Sequence, residues 1–323
     1  MNGALNSAED KPAHILCGRN VLITGASGFI GLHLRRRLQA LGARVHGVSR
    51  SAQTDVAEGV RWWQADLGDI EALRRLFKEI GPDTVFHLAS HVYGAPNLEH
   101  VLPTFRGNLV STVNLLVAAA ETGCRRIVLT GSLAEPVHEQ GETFPSSPYA
   151  ASKWASSAYG RMFHALYRVP VVMTRVFMVY GPAQHDVSKL IPYVTLSLLQ
   201  GHAPKIASGS RMVDWIFVDD VVEGFLAIAG AAGIEGATID IGSGKLVSIR
   251  EIVENLEQIL SVNKRASFGA LQDRPLEPVR IANVTETYST IGWSPITSLA
   301  TGLRTTVDWY RQHLGEFSRA VNS

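Results

Sequence analysis

From Asn20 onward, short runs of aliphatic and β-branched residues alternate with stretches of helical period, the pattern of a parallel sheet covered by helices on both faces. Val21-Leu22-Ile23-Thr24 reads as a buried strand. Behind it, Ile30, Leu34, Leu38 and Leu41 recur at spacings of four, four and three, which gathers them on one face of a helix whose other face carries Arg35, Arg36 and Arg37. The same reading predicts strands over 44–48, 84–89, 126–130 and 171–176, with helices over 69–79, 108–121 and 148–167 between them.

Past Tyr180-Gly181-Pro182 the texture changes: Gly and Pro become frequent and the apolar runs short, so a second, smaller region begins there. Within it, a helix over 218–228 and a buried strand over 238–241 have the pattern to return to the main sheet. Ser248-Ile249-Arg250-Glu251 is a capping box opening a helix to about residue 260, and Leu299, Leu303, Val307 and Tyr310 form the stripe of a last helix over 297–313.

Composition removes several function classes. With 46% hydrophobic and 18% charged residues in 323, the chain has the core of a globular protein and not the make-up of a disordered or collagen-like one. Lys plus Arg number 30 against 29 Asp plus Glu, so a bulk attraction to nucleic acid or to an anionic membrane is not expected. The first eighteen residues hold acids and Pro12 in place of a signal peptide's basic start and apolar run, and are expected to be a flexible tail. The longest near-apolar stretch, 225–234, falls short of the roughly 18 residues that cross a bilayer. Cys17 and Cys124 are too few and too far apart for a disulfide framework, which fits a reducing compartment, the cytoplasm. The histidines fall in no ligand spacing with Cys or carboxylates, and no metal is expected.

The first strand runs into Thr24-Gly25-Ala26-Ser27-Gly28-Phe29-Ile30-Gly31, where three glycines at spacings of three open a helix. A tight turn, the close approach of a pyrophosphate and close helix–strand packing each require a residue without Cβ, and the open helix start receives phosphate charge. The chemistry implied is dinucleotide binding. At the end of the second strand Val48-Ser49-Arg50-Ser51 has no acid to bond a ribose diol, and Arg50 suits a 2′-phosphate, which favours NADP(H) and leaves NAD(H) open, as does a merely solvated Arg50. Asp66-Leu67 is placed either for an adenine ring or, at Asp66, for a helix cap.

Tyr149 and Lys153 stand four apart at a helix start, so phenol and ammonium share one face. A phenol titrating at about 10 is a poor acid or base at neutral pH, and the ammonium together with a positive nicotinamide is expected to lower it. Ser132 ends the strand 127–130, at the carboxyl edge where ligands gather in such sheets.

With these residues the chain resembles the extended short-chain dehydrogenase/reductase family, which contains nucleotide-sugar epimerases, 4,6-dehydratases and ketoreductases. The resemblance spans about residues 19–314 and rests on Gly25/Gly28/Gly31, Val85-Phe86-His87-Leu88-Ala89, Asn108, Ser132, Tyr149 with Lys153, and Tyr180-Gly181-Pro182. It continues through Asp214-Trp215-Ile216-Phe217-Val218-Asp219-Asp220, Ile241-Gly242-Ser243-Gly244, and Arg274-Pro275 ahead of Gly292-Trp293-Ser294-Pro295.

The resemblance implies an α/β, doubly wound parallel sheet of Rossmann type with a smaller C-terminal α/β substrate-binding domain. Residues 19–180, with 219–243 returning to them, would hold the dinucleotide, and 181–218 with 244–323 the substrate. By the same carry-over Ser132, Tyr149 and Lys153 are catalytic, Leu88 and Ala89 line the cofactor, and Arg211 and Arg274 meet a nucleotide diphosphate unless they serve as surface ion-pair partners. A homodimer through the helices carrying Tyr149 and following Asn108 is expected, though core packing equally explains their apolar residues.

The chain also departs from the family. Dehydratases place an acid beside the hydroxyl residue or one position beyond; here Leu133 and Ala134 follow Ser132 and Glu135 comes one place late, so elimination is disfavoured. Met178 stands where an Asn is usual before Tyr-Gly-Pro. NADPH-dependent reduction of a 4-keto sugar nucleotide is the leading expectation, tilted by Arg50; the alternatives are a 4-epimerase with tightly bound NAD and a reductase of a non-sugar ketone.

Overall fold

The computed structural model describes residues 15–53, 59–136, 144–273 and 277–317. It divides into two compact units: one takes in the chain through Arg175, Val222–Ile239 and Thr287–Trp293, the other Val176–Val221, Asp240–Glu286 and the chain from Ser294.

The first unit is built on β1 (Asn20–Thr24), β2 (Arg44–Ser49), β3 (Val60–Gln64), β4 (Thr84–His87), β5 (Arg126–Ser132) and β6 (Val171–Val176). With β9 (Thr238–Ile241) they form a seven-stranded sheet in the order β3-β2-β1-β4-β5-β6-β9. Helices α1 (Phe29–Ala40), α2 (Ile70–Ile80), α3 (Ser111–Thr122) and α4 (Pro148–Tyr167) follow β1, β3, β4 and β5. The order reverses between β1 and β4, so the loops after these two strands diverge and leave a crevice at their carboxyl ends. On one face of the sheet Leu22, Val85, Ile127 and Met173 pack with Leu73, Phe77, Leu115 and Leu116 of α2 and α3. Strands buried on both faces explain why they read as continuous apolar runs.

Three local expectations are corrected. Arg35, expected on the solvent face of α1, is buried, its guanidinium 5.8 Å from the centre of the Trp62 ring on β3. Delocalised and weakly hydrated, a guanidinium tolerates such stacking. The strand expected over 84–89 ends at His87, and Leu88 and Ala89 leave it as the loop beside the glycine turn. The helix expected from Asn108 begins as a π-turn, Phe105–Val110, before regular α-helix at Ser111.

In the second unit β7 (Met178–Tyr180), β8 (Met212–Phe217) and β10 (Leu246–Ser248) form a small sheet in the order β10-β8-β7. Helices α5 (Leu190–Leu199), α7 (Ile249–Leu260) and α9 (Leu299–Gln312) enclose its core, where Val194, Trp215, Phe217, Ile252, Leu256, Leu303 and Val307 meet. The Ser248–Glu251 capping box closes in both directions, at 2.8 and 3.1 Å. Helices α6 (Val218–Gly230) and α8 (Val284–Ile291) are the remaining helices of eight residues or more among the described residues.

Candidate active site

Strand register places the catalytic candidates at the sheet's carboxyl edge. His87 closes β4 opposite Leu129 of β5, so Thr130, Gly131 and Ser132 run on past the neighbouring strand. Ser132 is buried, and its hydroxyl accepts from the Ala134 N–H at 3.1 Å and is hydrogen-bonded to the Tyr149 phenol. Ser147 caps α4, accepting from the Ala150 N–H at 3.2 Å, and Pro148 takes the first helical position. This start puts Tyr149 and Lys153 one turn apart on a common face, with Lys153 Nζ 5.9 Å from the centre of the Tyr149 ring. Lys153 is 5% exposed and its ammonium donates to the Thr130 carbonyl at 2.7 Å. The structure therefore brings Ser132, Tyr149 and Lys153 together.

The electrostatics differ from expectation. Burial pushes the Tyr149 phenol up to about 12, against the bond from Ser132, and the Glu135 carboxylate adds to the rise. Burial likewise takes the Lys153 ammonium down to about 8, with Glu135 opposing. In the protein alone desolvation outweighs the Ser132 hydrogen bond at the phenol and the Glu135 charge at the ammonium.

Glu135 is itself buried. Its carboxylate accepts the Ser132 N–H at 2.8 Å and a hydrogen bond from Ser157 of α4, while burial raises its own titration above the ordinary carboxylate range. Its carboxylate is thus engaged by the Ser132 main chain and by Ser157.

Asn108, at the π-turn, joins three pieces. Its side-chain oxygen accepts from the His91 N–H at 2.6 Å and from Ser90 Oγ at 3.1 Å, and its amide donates to Ser152 Oγ at 2.9 Å. Ser152 in turn donates to the Tyr149 carbonyl at 2.8 Å, so the loop after β4 and the Tyr149 turn are held by one buried amide.

The glycine turn has the shape a dinucleotide needs. Gly25 adopts φ 71°, and a Cβ there would lie 2.8 Å from the Ala89 nitrogen; at Gly31 it would overlap the Gly25 carbonyl and Ala26. Gly28 caps α1 without a side-chain hydrogen bond, so the helix start ahead of Phe29, Ile30 and Gly31 is not filled by a side chain of its own cap. Leu88 and Ala89 are half-buried opposite this turn. Arg50 is exposed just past β2, with its carbonyl accepting from Gln64 at 3.1 Å. Leu67 is buried; Asp66 is exposed and accepts the Gly68 N–H at 2.9 Å. The helix cap considered for Asp66 belongs to Asp69, which accepts from Glu71 and Ala72 at 2.9 and 3.2 Å. The Cβ-free cradle and open helix start fit a dinucleotide.

In the second unit Arg211 is ion-paired with Glu277, and Arg274 lies outside the described residues. Asp214 stands out in the sequence only as part of a motif. Fully buried, its carboxylate accepts from Ser243 N and Oγ, both at 2.7 Å, and from the Gly244 and Ala282 N–H groups, both at 2.9 Å. A lone acid inside an apolar strand, with Gly-Ser-Gly downstream, was the available signal. Among the described residues no group of three His, Cys, Asp or Glu converges as metal ligands, and no helix is long and apolar enough to cross a membrane.

A doubly wound sheet with a glycine turn at its reversal point and a Ser-Tyr-Lys cluster at its carboxyl edge defines an oxidoreductase-type dinucleotide enzyme. More narrowly, residues 21–242 match the NAD dependent epimerase/dehydratase family, and the chain belongs to it. It is 33% identical over 311 residues to a UDP-glucose 4-epimerase of Mycolicibacterium smegmatis, covering 90% of this chain and 98% of that protein. A dTDP-glucose 4,6-dehydratase of Neisseria gonorrhoeae is 29% identical over 332 residues, covering 90% and 95%. Among solved structures, the Thermus thermophilus UDP-glucose 4-epimerase in complex with NAD superposes with a TM-score of 0.79 at 26% identity, over 90% of this chain and 98% of that one.

Proposed function

We propose that this protein is a nucleotide-sugar 4-epimerase carrying NAD as a retained cofactor. The observation that carries the reading is the inward turn of Glu135. Eliminating water from a sugar needs an acid and base beyond the tyrosine, and the carboxylate nearest Ser132 in sequence is buried and committed to the Ser132 N–H at 2.8 Å. Ala134, where a dehydratase would carry its acid, has no proton to give. Likeness to UDP-glucose 4-epimerases over nearly the whole chain, one of them solved with NAD, supports epimerisation over NADPH-dependent keto reduction. An exposed Arg50 does not outweigh this likeness.

In this reading Gly25, Gly28, Phe29, Ile30 and Gly31 hold the pyrophosphate, Arg50 lies near the adenosine ribose, Asp66 and Leu67 meet the adenine, and Leu88 and Ala89 line the site. NAD, when bound, supplies the nicotinamide ring that takes a hydride from the sugar carbon and gives it back. Ser132 holds the reacting oxygen by a hydrogen bond. Tyr149 takes the hydroxyl proton as the carbon is oxidised and returns it to the same oxygen as the carbon is reduced on its other face. Lys153 bonds the nicotinamide ribose and offsets the charge of the phenolate. Arg211, exchanging Glu277 for phosphate, and Arg274 meet the nucleotide diphosphate. The enzyme works in the cytoplasm as a homodimer through α3 and α4.

Denaturing the purified protein and weighing the released nucleotide tests this directly. NAD near one per chain, with C4 interconversion of a UDP-hexose and no net change in reduced cofactor, is the expected result. Steady consumption of NADPH with a 4-keto sugar nucleotide would restore the reductase reading.

A further inference from the structure

Glu135 lies directly after the catalytic strand, with its N–H bonded to the Ser132 carbonyl at 3.1 Å and its side chain folded back beneath β5. It is 6% exposed. Space for it exists because residue 131 is glycine: a Cβ there would overlap both Glu135 Oε1 and the Thr174 carbonyl. The carboxylate so admitted accepts the N–H of Ser132 at 2.8 Å and a hydrogen bond from Ser157. Two cations face it, Lys153 from α4 and Arg175 from β6. Among the described residues the other titratable groups tied to this cluster are the Tyr149 phenol and His87, which burial keeps neutral.

A buried ammonium is costly without a countercharge, and a buried carboxylate is equally costly without donors. The two meet the same strand end two residues apart, Lys153 at the Thr130 carbonyl (2.7 Å) and Glu135 at the Ser132 N–H (2.8 Å), without bonding each other. Among the described residues Lys153 has the Thr130 carbonyl as its one hydrogen-bond partner, at 2.7 Å, and Glu135 is the negative charge among the groups that shift its titration.

We propose that Glu135 is a positioning residue with two separable actions: its oxygen fixes the Ser132 main chain, and its charge is the buried counterpart that keeps Lys153 an ammonium beside Tyr149. The proposal rests on the reading of Ser132, Tyr149 and Lys153 as the catalytic group. Removing a negative charge lowers the titration of every group it faces. Loss of the Glu135 charge therefore moves both the phenol and the ammonium to lower pH, and with them both limbs of the pH profile.

Two variants separate the actions. Glu135→Gln keeps the acceptor and the volume but removes the charge, and is expected to move the whole kcat–pH profile about one unit toward acid while leaving kcat at its own optimum and KM for the sugar nucleotide within about twofold. Glu135→Asp keeps the charge but draws the oxygen away from Ser132; it is expected to leave the profile in place and lower kcat about tenfold. The phenolate of Tyr149, followed by ultraviolet difference titration against Tyr149→Phe in the NAD-loaded protein, reads the same shift without turnover. Coincident titrations in wild type and Glu135→Gln overturn the proposal. If no sugar nucleotide is turned over, the functional reading fails on its own, and the phenolate titration still decides the role of Glu135.

Discussion

His87 Nδ1 lies 2.8 Å from Thr24 Oγ1, and the hydrogens around this pair can be assigned by counting donors. The Ala89 N–H donates to Thr24 Oγ1 at 3.2 Å, leaving the Thr24 proton for His87 Nδ1. On the other side Thr112 donates to the Asn108 carbonyl at 2.6 Å, so it must accept from His87 Nε2, 3.1 Å away. The imidazole is thus neutral with its proton on Nε2. It connects the end of β1 and the loop after β4 to the π-turn of Asn108, and so ties the glycine turn to the elements beneath Tyr149.

That neutral state has a consequence for acid stability. Burial, with Lys153 adding to it, lowers His87 from an ordinary 6.5 to about 3. Between these values the unfolded chain binds a proton that the native state refuses, so stability falls as pH drops through the window. The loss from this residue reaches roughly 4–5 kcal/mol by pH ~3. His87→Gln, which keeps an acceptor and a donor but cannot ionise, is expected to flatten the slope of urea-unfolding free energy against pH in that window. An unchanged slope would assign acid lability to the carboxylates.

Lys153 is expected to trade stability for chemistry. Its native titration near 8, against 10.5 when exposed, means the native state gives up its proton first as pH rises. The cost of burying the charge is therefore full below pH 8 and is relieved toward 10.5. Lys153→Met should raise stability at neutral pH by about 2 kcal/mol, the burial gain less the loss at the Thr130 carbonyl, while lowering kcat at least about a hundredfold. The stability difference should shrink as pH approaches 10.5, which denaturation at several pH values measures directly.

What could be read from the chain and what could not divide along a physical line. The strand–turn–helix around Gly25, the Tyr149–Lys153 face and the Ser248–Glu251 cap are local: spacing along one element decides them. Arg35 looked like a surface residue because its partner, Trp62, arrives on a strand two elements away. The π-turn at Asn108 follows from bonds to His91 and Ser152, distant in sequence, that reward a local departure from α-helix. Glu135 reads in sequence as an acid one place too late for elimination, and no more, because its inward turn depends on Gly131 leaving room beneath β5. Phenol and lysine share a face as their spacing predicts, while the burial that raises the one and lowers the other in the protein alone comes from packing, of which spacing carries no measure.

Gly31 offers a test of the cradle that is independent of catalysis. A Cβ at this position would overlap the Gly25 carbonyl and Ala26, which are backbone and main-chain-anchored atoms and cannot swing aside. Gly31→Ala is expected to push α1 away from β1 and to lower dinucleotide affinity by at least about tenfold, although alanine favours a helix intrinsically. Isothermal titration of NAD into the stripped protein reads the loss. Unchanged affinity would mean the helix start does not carry the pyrophosphate.

Asp214 predicts a stability effect confined to the second unit's own construction. Four donor groups, from Ser243, Gly244 and Ala282, converge on its two oxygens at 2.7 to 2.9 Å with no solvent to replace them. Asp214→Asn turns one acceptor into a donor facing N–H groups that already donate, so at least one buried bond becomes a repulsion. Roughly 2–4 kcal/mol of unfolding free energy should be lost. Asp273 bonds the Ser208 N–H at 3.2 Å and the Ser208 hydroxyl at 2.9 Å in an exposed loop, so Asp273→Asn is expected to cost under about 1 kcal/mol. The contrast between two isosteric changes is measured by urea unfolding of the whole chain: equal losses would show that neither burial nor the number of bonds sets the cost.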